Sequence, residues 1–141
     1  WDDEVVEVDI VRDQDKYVFT ITEKWVGKIS EIEEYREQWR GGSWVKVATI
    51  DAKTGKIIWV AILAEEEKAK SQVLLMSKDW QSIRVDLKNI KCIWRWAKWV
   101  IIAKLMNKND KFTSFTIIKE WENDEEDEKE VVDEKQEKLD V

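Results

Sequence analysis

The segment KCIWRWAKWV, residues 91–100, sets Trp94, Trp96 and Trp99 among Lys91, Arg95 and Lys98. Cations along a groove hold the phosphates of nucleic acid. Aromatic rings take the faces of unpaired bases, at about 1–3 kcal/mol per stacked base and with little regard for sequence. Lys104, Lys108 and Lys111 continue the cationic track. The nine residues Lys91, Trp94, Arg95, Trp96, Lys98, Trp99, Lys104, Lys108 and Lys111 are therefore the candidate nucleic-acid-binding set, with single strands as the preferred ligand. The opposing consideration is that tryptophan is mostly buried on average, so core is the default for most of these rings. A strand through the segment would put Trp94 and Trp96 on one face and Trp99 on the other, leaving at most one face for a ligand.

The charge of the chain is segregated in the same sense. The net charge of −7 divides into 16 acids and 9 bases over residues 1–67, 4 acids and 12 bases over 68–121, and 11 acids and 3 bases over 122–141. The basic–aromatic segment lies in the middle, basic block. The last twenty residues have four apolar side chains and cannot bury enough to order themselves alone. The expected organisation is a single β-rich domain over 1–121 and an acidic C-terminal tail over 122–141, solvated or ordered by a partner. Such a tail can compete internally for the basic surface, recruit a protein or self-associate, or simply solubilise. An aromatic-bearing β domain followed by an acidic tail resembles the bacterial single-stranded-DNA-binding proteins. That likeness implies single-stranded DNA as ligand. The terminal Leu139-Asp140-Val141 departs from the phenylalanine-bearing tip of that family, and no site residue is carried over.

Several chemistries are excluded or unsupported. With no histidine, imidazole acid–base catalysis and histidine-ligated metal cannot occur. Missing histidine and proline need no functional cause, because a purine-biased gene loses both. Cys92 is the only cysteine, so no disulfide forms within one chain. Basic neighbours Lys91 and Arg95 would lower its pKa, but an inert thiol is the ordinary outcome. Paired carboxylates such as Asp2-Asp3 and Glu65-Glu66-Glu67 sit in polar runs, not in the desolvated setting a general acid needs. No phosphate loop, nucleophile elbow or metal-ligand spacing is present. A non-enzymatic protein without cofactor or metal is expected. The longest apolar run, IIWVAILA over 57–64, is too short to span a bilayer, so no membrane is expected as partner; the lone cysteine fits a reducing compartment, and an intracellular location is expected.

The elements that must carry the site follow from periodicity. EVVEVDIVR (4–12) and YVFTITEKW (17–25) alternate with period two and predict paired strands. Ser30 with Glu33 makes a capping box, and Ile29, Ile32, Tyr35 and Trp39 make an apolar stripe, predicting a helix over 31–40 ended by Gly41-Gly42. That stripe would cover a sheet face. SWVKVATI (43–50) and KIIWVAIL (56–63) flank the turn DAKTG and predict a hairpin. IDAKTGKIIW also resembles one unit of a quinoprotein-type β-propeller, but the unit is read as occurring once, too seldom for that fold. VLLMS (73–77), SIRVDL (82–87), 92–106 and FTSFTIIKEW (112–121) predict further strands, with 99–106 opposing 112–121. The resulting fold class is α+β, mainly antiparallel β: a single curved sheet or barrel-like meander of seven to eight strands, with one amphipathic helix after the second strand.

Three functions remain. One is a nucleic-acid-binding protein with the tail as modulator. The alternative is a protein-interaction or self-assembly module, viral or extracellular, whose tryptophans form core and subunit interface. A barrel enclosing an apolar ligand is a third, less favoured by the charge segregation.

Overall fold

The computed structural model describes residues 4–107 and 109–119. The acidic tail lies outside the described residues. Seven strands form two antiparallel sheets: β1 Asp15–Thr22, β2 Val26–Glu31, β3 Ile57–Ala64, β4 Gln72–Ser77, β5 Ser82–Asp86, β6 Val100–Ile101 and β7 Phe112–Ile118. One sheet has the order β3-β1-β2-β6 and the other β5-β4-β7. The helix α1, Glu65–Lys70, joins them. Short 3-10 turns follow β2 (Ile32–Glu34) and β5 (Leu87–Asn89).

The two sheets repeat one unit. β1, β2 and β3 correspond to β4, β5 and β7 at a constant spacing of 55 residues, and so do the two 3-10 turns. The registers also agree. Tyr17 faces Leu63 as Gln72 faces Ile118, and Thr20 faces Lys28 as Leu75 faces Ile83. Even the irregularity before Thr22↔Ile57 recurs before Ser77↔Phe112. Trp25 and Trp80 occupy the same turn, each with positive φ, 63° and 61°. A bulky residue in that region is strained, so both turns hold an unfavourable conformation at one structural position. Identities at this spacing include Val18/Val73, Trp25/Trp80, Trp39/Trp94, Arg40/Arg95, Trp44/Trp99, Val45/Val100, Ala48/Ala103, Lys53/Lys108, Lys56/Lys111 and Ile62/Ile117.

The core lies between the sheets. Phe19, Ile21, Ile29, Leu63, Val73, Leu75, Leu87 and Phe112 are buried together. Trp59 of β3 links the two layers, edge-on to Phe19 and stacked on Phe115 of β7 with centroids 4.2 Å apart. β4 alternates as its sequence implies, with Val73, Leu75 and Ser77 buried. β1, central between β3 and β2, is buried at every residue from Val18 to Thr22.

This arrangement corrects the single curved sheet or barrel-like meander. No barrel exists among the described residues for an apolar ligand to enter. The 4–12 arm is not a strand, and Val5, Val8 and Ile10 are exposed; with both β1 edges taken it has no partner there. The helix over 31–40 is absent. Ser30 stays in β2, and its hydroxyl bonds to Tyr35 Oη (2.8 Å) instead of capping a helix. Ile29 is core and Trp39 is 94% exposed, so the supposed stripe is split between opposite environments. The DAKTG turn forms, with Asp51 Oδ1 accepting from the N–H groups of Lys53 and Thr54, but 43–50 is not a strand. Within 92–106 only Val100–Ile101 is strand, and it pairs with β2, not with β7.

Phe19→Ala empties the centre of this core. It should lower unfolding free energy by about 3–5 kcal/mol, measured by urea denaturation.

Candidate nucleic-acid interface

Each repeat sends out one long loop between its 3-10 turn and its last strand, over 35–56 and 90–111. The loops are exposed and rich in cations and tryptophan. The second carries the predicted residues. Lys91, Lys98 and Lys104 are exposed, as are Trp94 (76%) and Trp96 (62%). Lys108 lies outside the described residues. Lys111 is exposed, and its ammonium donates to Glu23 Oε2 at 2.9 Å, an ion pair that holds the Glu23 carboxyl below its ordinary value. The set therefore does not share one strand face. Trp94 and Trp96 point outward, while Trp99 is half-buried and donates from Nε1 to Thr49 O (2.8 Å).

Arg95 is half-buried. Its guanidinium stands 4.7 Å from the Trp96 ring centroid and 5.5 Å from that of Tyr35, within cation–π range. Its backbone N–H donates to Glu34 Oε2 (2.7 Å), and its Nε is buried without a partner. Beneath it, Lys28 of β2 is fully buried. Its ammonium donates to Arg95 O and lies 5.1 Å from the Trp99 ring centroid. Burial pushes Lys28 below its ordinary pKa, with Glu34 opposing. Lys28 and Glu34 of the first repeat thus hold the loop of the second. Cys92 is exposed, and partial desolvation with Glu31 raises its thiol pKa, the reverse of activation by Lys91 and Arg95. No group of three or more acidic or cysteine side chains suited to a metal occurs among the described residues.

Sequence reading passed over the equivalent positions of the first loop. Arg36, Trp39, Arg40, Trp44 and Lys46 are exposed there, with Trp39 at 94% and Trp44 at 101%. Gly41, at φ 79°, supplies the left-handed turn between the two tryptophans. The missed signal is the spacing: Arg36/Lys91, Trp39/Trp94, Arg40/Arg95 and Trp44/Trp99 match across 55 residues.

The fold and these loops define a repetitive antiparallel β protein that displays cationic, aromatic loops at one position of each repeat. No family model matches the chain. The chain is 32% identical over 118 residues to the DNA gyrase A protein of Kosmotoga olearia, covering 83% of this chain and 14% of that protein. It is 32% identical over 111 residues to the DNA gyrase A protein of Ureaplasma parvum, covering 78% and 13%, and 30% identical over 129 residues to that of Staphylococcus aureus, covering 91% and 14%. It thus spans a small fraction of the length of these relatives. Among solved structures it resembles the DNA gyrase A C-terminal domain, with a TM-score of 0.64, 19% identity, and coverage of 75% of this chain and 34% of that one. It also resembles the C-terminal domain of DNA topoisomerase IV, with a TM-score of 0.64 and 12% identity over 77% of this chain and 32% of that one. The fold is therefore the β-pinwheel type of the gyrase A C-terminal domain. No helix among the described residues is long and apolar enough to cross a membrane.

Lys28→Met tests the buried ammonium. At pH well below the folded-state pKa both states are protonated. As pH rises from there toward the ordinary 10.5, the folded state releases the proton first, so the wild type gains stability. In urea melts at increasing pH, the stability of wild type relative to the Met variant should climb toward pH 10.5; a pH-independent difference would mean the ammonium is not desolvated.

Proposed function

We propose that the chain binds DNA along the two exposed loops, as a non-catalytic, phosphate-holding unit acting inside the cell. The observation that carries this is the recurrence of cations at equivalent places in two structurally equivalent repeats: Arg36 with Lys91, Arg40 with Arg95, and Lys56 with Lys111. Rigid repeats that present charge at a fixed interval suit the regular phosphate lattice of a duplex, held without reading bases. Similarity to the DNA gyrase A proteins supports DNA as the polymer. The single-stranded reading keeps one observation of its own: Trp39, Trp44, Trp94 and Trp96 are largely exposed, as stacking on bases requires, with Arg95 already against one of these rings, that of Trp96. The nine-residue set from Lys91 to Lys111 then forms half of the surface, with the first loop as the other half. In this reading residues 1–121 act as the binding unit, and the acidic tail over 122–141 competes with phosphate for it.

Binding of a 30-base-pair duplex and of an oligothymidine should be followed by anisotropy and by tryptophan fluorescence across a salt series. Duplex binding should weaken steeply with salt and leave tryptophan emission nearly unquenched. The double variant Arg36→Glu/Lys91→Glu should reduce the log–log salt slope by about 0.9 for each phosphate that is no longer neutralised. Strong quenching by oligothymidine with weak duplex binding would support the single-stranded reading. A chain ending at Trp121 should bind more tightly than the full chain. No binding of either polymer would overturn the proposal.

A further inference from the structure

The repeats are joined in a directional way. The loop of the second repeat lies along the outer edge of β2 in the first. Val26 pairs with Ile101 and Gly27 with Val100, Ile102 N–H donates to Trp25 O (2.9 Å), and Ile93 N–H donates to Ile29 O (2.8 Å). β5 is the counterpart of β2, yet among the described residues no strand pairs with its outer edge. The loop segment 36–47 is the counterpart of 91–102. Its backbone makes no hydrogen bond to a strand among the described residues. One end of the chain's repeat pair thus offers an unfilled acceptor edge, and the other an unused donor segment.

We propose that segment 36–47 of one copy of the chain docks on the β5 edge of a second copy, repeating the β2–β6 join between molecules. The 55-residue correspondence gives the register: Lys46 opposite Gln81, Val45 opposite Ser82, and the Val47 N–H directed at Trp80 O. Side chains at this junction are complementary. Ile102 sits over Gly27, where an added Cβ would collide with the Ile102 Cδ1, lie 3.3 Å from its Cγ1 and meet the Thr20 backbone oxygen of the neighbouring strand at 2.7 Å. At the proposed junction Gly27 is replaced by Ser82 and Ile102 by Val47, which lacks the colliding δ-carbon. The added Cβ on one side is matched by the methyl missing on the other. The parallel bridge Ile29↔Cys92 becomes Arg84 beside Glu37, opposite charges that are both exposed in the single chain. Trp80 is 83% exposed, whereas its counterpart Trp25 is half-buried against the core. The second repeat's loop reaches Trp25 through Asp110, whose carbonyl accepts from Trp25 Nε1 (3.3 Å); Gly55 is the counterpart that docking would bring to Trp80. The contact is heterologous, each copy using a different patch as donor and acceptor, so it propagates to rings or open chains rather than stopping at a symmetric dimer. Each added copy also extends the row of cationic loops.

The test is sedimentation velocity on the 141-residue chain without DNA, over a range of concentrations. The expected result is concentration-dependent self-association that resists moderate salt. Val47→Pro removes a ladder N–H and should weaken self-association about tenfold or more. Glu37→Arg and Arg84→Glu act at exposed positions and preserve the fold, checked by far-UV circular dichroism. Each alone should weaken association, and the double variant Glu37→Arg/Arg84→Glu should restore it. A monomer at every concentration overturns the proposal, leaving the edge for some other strand. Association unchanged by all three single variants, for example one driven by the acidic tail, overturns it equally. Neither result bears on DNA binding, which is measured separately.

Discussion

The pairing of the second repeat's loop with the β2 edge is the interaction on which the remaining structure depends. Together with the core shared by the two sheets it makes two three-stranded units into one body, and it determines which loop is fastened and which is free. Most of it is backbone hydrogen bonding, worth about 0.5–1.5 kcal/mol net per bond. Its least ordinary member is Lys28, whose ammonium is removed from water and given the Arg95 carbonyl and the Trp99 ring in return. Desolvating a cation is costly unless its hydrogen bonds are replaced. A lysine here therefore adds little stability beyond an apolar residue but discriminates strongly: only a loop that brings a carbonyl to that spot is tolerated. The counterpart at the β5 edge is Ile83, so the two junctions differ in chemistry while sharing geometry.

The join also explains the unequal exposure of equivalent tryptophans. Trp25 and Trp80 have the same backbone conformation in the same turn, yet one is half-buried and the other exposed. Trp99 is tethered through Thr49 and Lys28, while Trp44 is fully exposed. The rings behave alike where a neighbouring repeat is unnecessary, as with Trp39 and Trp94, both exposed. Exposure is thus set by what lies across the junction rather than by the residue's own hydrophobicity.

The same logic separates what could be read in the sequence from what could not. β4, β5 and β7 were legible because each strand's alternation reflects its own local pairing; Val73 and Leu75 point inward in a period-two pattern that needs no knowledge of the rest. The turn DAKTG was legible because Asp51 and Gly55 satisfy it locally. The 4–12 arm and the 31–40 segment misled for the opposite reason. Their patterns fit a strand and a helix, but β2 and β3 fill both β1 edges, and the 4–12 arm meets the outer edge of β3 through the Asp9 carboxylate, which accepts from Ile62 N–H (3.1 Å), rather than through a backbone ladder. Local signals such as Ser30-x-x-Glu33 lose to tertiary ones when Ser30 is drawn into β2. The second loop was visible as basic and aromatic but its placement was not, and the first was hidden behind helix-like and strand-like patterns.

The repeat itself is a global signal, invisible in any short window. The ten residues around DAKTG have no second copy, yet a comparison at a spacing of 55 finds Trp25 with Trp80, Trp39 with Trp94, Arg40 with Arg95, and Trp44 with Trp99. Four pairs of large or charged residues in register are hard to reconcile with chance. The turn residues between them diverge freely, because Asp51-Gly55 and Asn107-Asp110 close their loops by different hydrogen bonds. What the repeat retains is therefore not its turn chemistry but its strained tryptophan turn and its exposed loop. In the first case the retained feature fixes how the chain leaves the central strand. In the second, Arg95 and Trp99 are held at the β2 join, whereas Trp39 and Trp94 are exposed in both loops, so the tryptophan pair is the part of the match that packing within the chain does not account for.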